Sequence, residues 1–321
     1  RAALFNHPWL RRVLHLLCWS AVGLYFLVAL LVLVLRIAIL PEIDRYRDDI
    51  AQAIGEVMGQ RVGIRAIDAH WSGLRPVLNL HGIEIHDAAG RPVLGFEQVT
   101  AEPGWYSLWH GEPRVARLEL ITPHLLLRRD PAGRLFAAGL DITPKDTDSR
   151  FGQWLLTQDR IIIRNAAIVW QDELRQAPPL ELKNLNLLLD TGWRTHHFGL
   201  TAEPPAALAA PLDIRGKFSG DDVRRLDAWT GEAYVHTDRI DLASWRPWID
   251  YPIKLAQGGG ALRLWLNFAE AHITAATADV RLSDTRLRLR DDLPELDLTN
   301  LNGRVSMTRL TDELSLATQQ L

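Results

Sequence analysis

Residues able to do chemistry are present in this chain, but their spacing assembles none of the common reactive sets. His196 and His197 are adjacent; on a strand, successive side chains point to opposite faces, so the pair cannot share one metal ion. His81 and His86 stand an odd number of residues apart, and only a bulge between them would bring both to one face. The pairs Asp48–Asp49, Asp221–Asp222 and Asp291–Asp292 sit beside turns or on a polar helix face, where carboxylates stay solvated. Cys18 is the only cysteine, which excludes an intramolecular disulfide, a CxxC redox pair and a zinc–thiolate cluster. There is no HExxH, GxSxG elbow or phosphate-cradling glycine loop. The run Gly258–Gly260 precedes a strand and reads as a turn or bulge. The expectation is a chain that is not an enzyme and uses no metal or cofactor.

The elements that would position a site begin with a membrane span. Val13 to Leu35 carries no formal charge and would make a helix of roughly 35 Å, enough to cross a hydrocarbon core of about 30 Å. It is longer than the apolar core of a cleaved signal peptide, and no small-residue cleavage site follows. Arg1, Arg11 and Arg12 precede it without an acid nearby, whereas beyond it Arg36, Arg45 and Arg47 mix with Glu42, Asp44, Asp48 and Asp49. Positive-inside logic then puts the N-terminus in the cytoplasm and the bulk of the chain outside, in the periplasm of a cell with two membranes. The expected organisation is a cytoplasmic segment 1–12, an anchor 13–40, an amphipathic helix 41–60 and a β region 61–321. That helix, with Ile43, Tyr46, Ile50, Ala53, Ile54, Val57 and Met58 at helical spacing and Gly59 as its stop, either lies on lipid or covers the first strands. A net charge of −3 without a basic tract argues against nucleic acid. The chain begins with Arg and stops in the alternating run ELSLATQQL, which reads as part of something longer.

From Arg61 onward short alternating runs predict about fourteen strands. Only residues 151–158 and 241–249 read as further helix, the second broken by Pro247. Two near-identical turns, DAAGR at 87–91 and DPAGR at 130–134, place Gly where a hairpin needs positive φ and Asp where it can bond the turn. Several strands lose step: LELKNLNLLL (180–189), LNLHGIEI (78–85), LGFEQVTA (94–101) and LDLTNLNG (296–303) read apolar-x-apolar-x-x-apolar-x-apolar. Strand periodicity is two, so one extra residue sends the next apolar set to the other face unless a bulge absorbs it and keeps the face continuous. Repeated bulges predict a strongly coiled sheet. The few short helices cannot cover every apolar face, so either two sheets pack together or one sheet curls around something apolar that is not protein.

The opening stretch, LPEIDRYRDDIAQAIGEVMGQRVGIRAIDAHWSGLRPVLNLHGIEIHD, resembles the start of AsmA-like envelope proteins of the YhdP type. The match lies in Leu40–Pro41 after an N-terminal span, the amphipathic helix, and Gly59 through Trp71, Ser72, Gly73, Leu74 and Pro76. SLWHGEPRVARLELITPHLLLRRDPAGRLF and LASWRPWIDYPIKLAQGGGALRLWL resemble later units of that family. The resemblance implies a mainly β fold: a long, twisted, U-shaped antiparallel β-groove of repeating units, similar in plan to TamB and the chorein-type bridge proteins. It also implies no catalytic residues, and a role in carrying phospholipids from the inner membrane toward the outer membrane, where an envelope partner would meet the far end.

On that reading the apolar phase of the central strands would face lipid. The residues are Leu118, Leu120, Leu125, Leu127, Leu180, Leu182, Leu185, Leu187, Leu262, Leu264 and Leu266. The alternative is an envelope scaffold built on a closed β-sandwich.

Overall fold

The computed structural model describes residues 8–73, 75–86, 90, 92–104, 114–137, 140–141, 150–220, 222, 225–250, 254–288, 290, 292–310 and 313–319. Asp221, Asp291, most of the first DAAGR turn and residues 105–113 lie outside them.

Helix α1, Pro8–Val34, is continuously apolar through its middle and long enough to cross a membrane. Its ladder then changes gauge: a π turn over Leu35–Ile39 and a 3-10 segment over Leu40–Tyr46 lead into α2, Arg47–Met58. The cause is Pro41, which cannot donate a backbone bond, followed by Glu42 at a non-helical φ of −115°. Gly59, at φ 68°, ends α2 in the left-handed conformation that glycine adopts without cost.

Among the described residues sixteen strands form one sheet. They are β1 Arg61–Ser72, β2 Arg75–His86, β3 Pro92–Pro103, β4 Val115–Ile121, β5 His124–Arg129, β6 Leu135–Ala137, β7 Leu140–Asp141 and β8 Arg160–Asp172. There follow β9 Leu180–Thr191, β10 His196–Glu203, β11 Leu212–Ser219, β12 Thr230–Asp241, β13 Lys254–Ala269, β14 His272–Arg288, β15 Leu296–Leu310 and β16 Glu313–Gln319. The order is β1-β2-β3-β4-β8-β9 and onward to β16, and the two ends do not pair, so the sheet is open. The closed sandwich is therefore not what this chain forms.

The sheet is antiparallel with one exception. Residues 115–129 are broken at Thr122–Pro123 into β4 and β5, and both pair β8 in parallel. β3 pairs β4 from Gln98 to Pro103, whereas the outer edge of β5 takes β6 instead. The return from β7 to β8 includes α3, Arg150–Leu156. Residues 272–288 form one strand, with Asp284 left-handed at φ 48° inside it. One expectation needs correction. The helix expected over 241–249 shrinks to a 3-10 turn, Ala243–Trp245.

Two of the four expected offsets, in β2 and β9, carry a left-handed residue, and similar positions in other strands line up with them. Left-handed residues interrupt β2 at Gly82 (φ 56°), the β4–β5 join at Thr122 (52°), β8 at Asn165 (52°), β9 at Asn184 (47°) and β14 at Asp284 (48°). The pairing shows the alignment: Gly82 and Glu97 are skipped opposite each other between His81↔Gln98 and Ile83↔Phe96, and the Thr122 N–H bonds the Arg164 carbonyl beside Asn165 at 2.8 Å. Further shifts occur in β10 at Thr201/Glu203 and in β13 around Gly258–Gly260. Each bulge bends its strand. A row of them bends the whole sheet along one crease.

The amphipathic segment covers strands. Ile43, Ile50, Ala51 and Ile54 pack with Ile64, Ile67, Leu80, Ile83 and Val99 in one core. The same segment caps the free edge of β1: Asp44 Oδ1 accepts from the Ile67 N–H at 2.9 Å, and Arg47 Nη1 donates to the Arg65 carbonyl at 3.1 Å. Edge strands left open invite pairing with other chains, and here two groups of the edge, the Ile67 N–H and the Arg65 carbonyl, are taken.

Candidate functional site: an apolar floor across the sheet

Directly opposed residues on neighbouring strands share a face, so the register can be followed from one end of the sheet to the other. One row runs Ile67–Leu80–Val99–Leu120–Ile163–Leu187–Leu200 through β10. It continues Ile214–Val235–Leu264–Ala278–Val305 through β15 without a polar residue. A parallel row runs Leu78–Ala101–Leu118–Ile161–Leu189–Phe198, then Gly216–Ala233–Leu266–Ala276–Met307. At about 4.8 Å per strand, this floor extends some 60 Å.

Two glycines shape it. A Cβ on Gly216 would meet the Phe198 ring at 2.7 Å, and one on Gly231 would meet Phe268 at 2.5 Å, so both rings lie flat on backbone.

The floor is concave at the crease. Ala166, Leu185 and Ala202 are 0%, 4% and 1% exposed, yet the apolar side chains packed on them all come from the same three strands, β8 to β10. A flat, single-layer sheet leaves one face of such residues in water. Here Leu182 and Leu187, on either side of the Asn184 bulge, converge on one cluster.

Protein covers the floor in two places. At the anchor end the α2 core lies over β1–β3 and reaches Leu118 and Leu120. Midway, the β8–β9, β10–β11 and β12–β13 loops form a brace. Arg175 Nη1 donates to Asp250 Oδ1 at 2.8 Å, Trp248 Nε1 to the Pro178 carbonyl at 3.1 Å and Trp245 Nε1 to the Leu208 carbonyl at 3.3 Å. Leu180, Ala209, Ile240 and Trp245 are buried beneath it. Elsewhere, from Ile163 through Leu200, Ile214, Val235, Leu264, Ala278 and Val305, the floor is half-buried.

All the sequence-selected leucines stand on this face. Leu120, Leu187 and Leu264 belong to the first row, and Leu118 and Leu266 to the second. Leu262 pairs Thr237; Leu125 and Leu127 pair Ile168 and Trp170, which in turn pair Leu182 and Leu180. Leu180 is closed off by the brace and Leu185 by the crease, so neither is open floor. Sequence reading missed the brace, although Trp245, Trp248 and the prolines at 178, 179, 204 and 205 were a signal that these loops are ordered. It also named only leucines, passing over Ile163, Leu200, Ile214 and Val235.

The opposite face is ionic. Arg117 Nη2 donates to Glu119 Oε2 at 2.6 Å, and Arg164 reaches the same carboxylate from β8. Burial acts to raise Glu119, and bonds from Arg164 and Arg117 more than offset it, leaving the group below its ordinary range. Arg160–Asp190 (2.6 Å), Lys217–Glu232 (3.0 Å) and Arg304–Asp279 (2.5 Å) continue the pattern across strands. The Arg304 bond holds Asp279 below its ordinary value.

His81 and His86 do reach one face across the Gly82 bulge, but His81 Nε2 bonds Asp68 at 2.6 Å and His86 stands 3.7 Å from Glu84. His196 is buried on the floor side, its Nδ1 3.2 Å from Thr191 Oγ1, and His197 is exposed. Among the described residues no group of His, Cys, Asp and Glu is arranged to hold a metal ion.

A family model described as YhdP protein matches residues 4–321. No curated protein and no solved structure matches the chain.

Proposed function

The chain belongs to the YhdP family, and from that footing we propose that it is the membrane-anchored part of a lipid-transfer bridge whose apolar floor carries the acyl chains of phospholipids. Membership suggests a lipid-transfer or envelope role in broad terms. The observation that carries the finer reading is the unbroken apolar row from Ile67 to Val305, which is half-buried from Ile163 onward with no second sheet upon it among the described residues. Each methylene leaving water for such a surface gains about 0.8 kcal/mol. The floor has no recurrent polar anchor, so it favours sliding over fixed binding. The ionic outer face supplies the water-facing wall. In this proposal α1 sits in the inner membrane with its N-terminus cytoplasmic, on the arginine asymmetry given above, and the β region stands in the periplasm.

The test is photo-crosslinking of the full chain in its membrane, with p-benzoylphenylalanine replacing single residues. Phospholipid adducts at Leu264 and Leu266 but not at Arg263 or Asn267 would follow the strand period and support the floor. Adducts to protein on both faces, without lipid, would overturn the proposal in favour of a scaffold.

A further inference from the structure

The lipid reading leaves open where acyl chains reach the floor, and the simplest route is end-on, beneath the anchor. The geometry points instead to a sideways entrance at the β5 fork, past α2. This inference rests on the lipid proposal and adds the route.

The first observation is that the anchor end of the floor is already filled. Ile50, Ala51 and Ile54 of α2 occupy the apolar face of β1–β3, where Ile67, Leu80 and Val99 are buried. The helix is also tied to the β1 edge by Asp44 and Arg47. Gly55 lets the chain fold back tightly from α2 into β1: a Cβ there would lie 2.7 Å from the Gln60 carbonyl oxygen. An acyl chain arriving end-on would have to expel this helix and strip both edge bonds.

The second observation is the fork itself. β3 follows β4 only as far as Gln98↔Ile121, while β5 turns its edge to β6. Between them stands Thr122, a β-branched residue at φ 52°, a conformation such residues rarely tolerate and that clusters at functional positions. Beyond the fork, Leu125 and Leu127 on β5 are half-buried and join none of the buried clusters. Among the described residues they are the first floor side chains after the α2 core that no buried cluster includes. Through Ile168 and Trp170 they connect to the floor of β9.

Two measurements on the full chain test the route, both with Cys18→Ser. In the first, p-benzoylphenylalanine replaces Leu125 or Leu80; phospholipid adducts at Leu125 and none at Leu80 are expected, and adducts at Leu80 overturn the inference. In the second, whichever cysteine pair closes under oxidant, Ala51→Cys with Ile64→Cys or Ile54→Cys with Ile67→Cys, locks α2 to the sheet. Lipid adducts at Leu187 should persist undiminished in the locked chain. Their loss on oxidation and return on reduction would make α2 a gate and sink the fixed-plug route. Absence of lipid adducts at Leu187 in the unlocked chain would instead be a failure of the lipid proposal.

Discussion

At the scale of single residues, the crease depends on side chains that accept a left-handed backbone inside a strand. Asn165, Asn184 and Asp284 do so at φ 52°, 47° and 48°, and Asn and Asp tolerate this region because their short polar groups bond locally. The left-handed turn at Asn184 is held further by Asn186 Nδ2, which donates to the Asn184 carbonyl at 2.9 Å. Asn184→Val should therefore cost about 1–2 kcal/mol, read as a lower midpoint in urea unfolding, whereas Asn184→Gly should be neutral or slightly stabilising. Equal loss from both would mean that the Asn184 bond to Glu203 Oε2, 2.8 Å, matters more than the backbone. These residues were legible only as a break in alternation. The pattern in 180–189 shows that one residue is extra, but whether neighbouring strands put theirs at the same height depends on register, which no single strand encodes.

Elements show the same division. The alternation of β2, β9 and β13 marks them as half-buried strands, and the unpatterned run before Leu35 marks α1. The β4–β5 break had a signal in Pro123, which has no N–H for a ladder, but the alternation on both sides of it masks where one strand ends and the next begins. The fate of α2 was not legible, because its apolar stripe suits lipid and sheet equally; Asp44 and Arg47 decide it by reaching β1 backbone. Asp44→Ala removes the acceptor of the Ile67 N–H at the sheet edge and should cost about 1 kcal/mol, with faster hydrogen exchange at Ile67 than at Leu80. Uniform exchange across β1 and β2 would show that α2 contributes through its apolar face alone. The loop brace gives a pH prediction. Burial acts to raise Asp172, but bonds from Arg129 and Arg175 leave it below 3.8, and the Arg175 bond does the same for Asp250. A carboxylate lowered in the folded state contributes stability that is complete above its unfolded value and lost as pH falls through the folded one. The brace should thus be pH-independent from neutrality to about pH 5 and loosen below about pH 4, followed by Trp245 and Trp248 fluorescence; Arg175→Ala should move that loosening upward in pH.

For the whole molecule, the consequence of a floor shared by every strand is that its parts act in series. Stability does not: β9 and β13 are separated by three strands, so the destabilisation caused by Leu187→Asp and Leu264→Asp should add. Passage along the floor should not add. One charged carboxylate on an apolar path costs more than a passing acyl chain can offset, and a second block behind the first changes nothing. With p-benzoylphenylalanine at Val305 as the downstream probe, either substitution should abolish the phospholipid adduct, and the double variant should be no worse. The arrangement also has a direction. With an entrance at the β5 fork, Leu264→Asp should leave an adduct at Leu187 intact, because Leu187 is reached first. If lipid instead drops onto the open floor anywhere along its length, the Val305 adduct survives both substitutions. In that case the row from Ile67 to Val305 is a surface for binding and not a path.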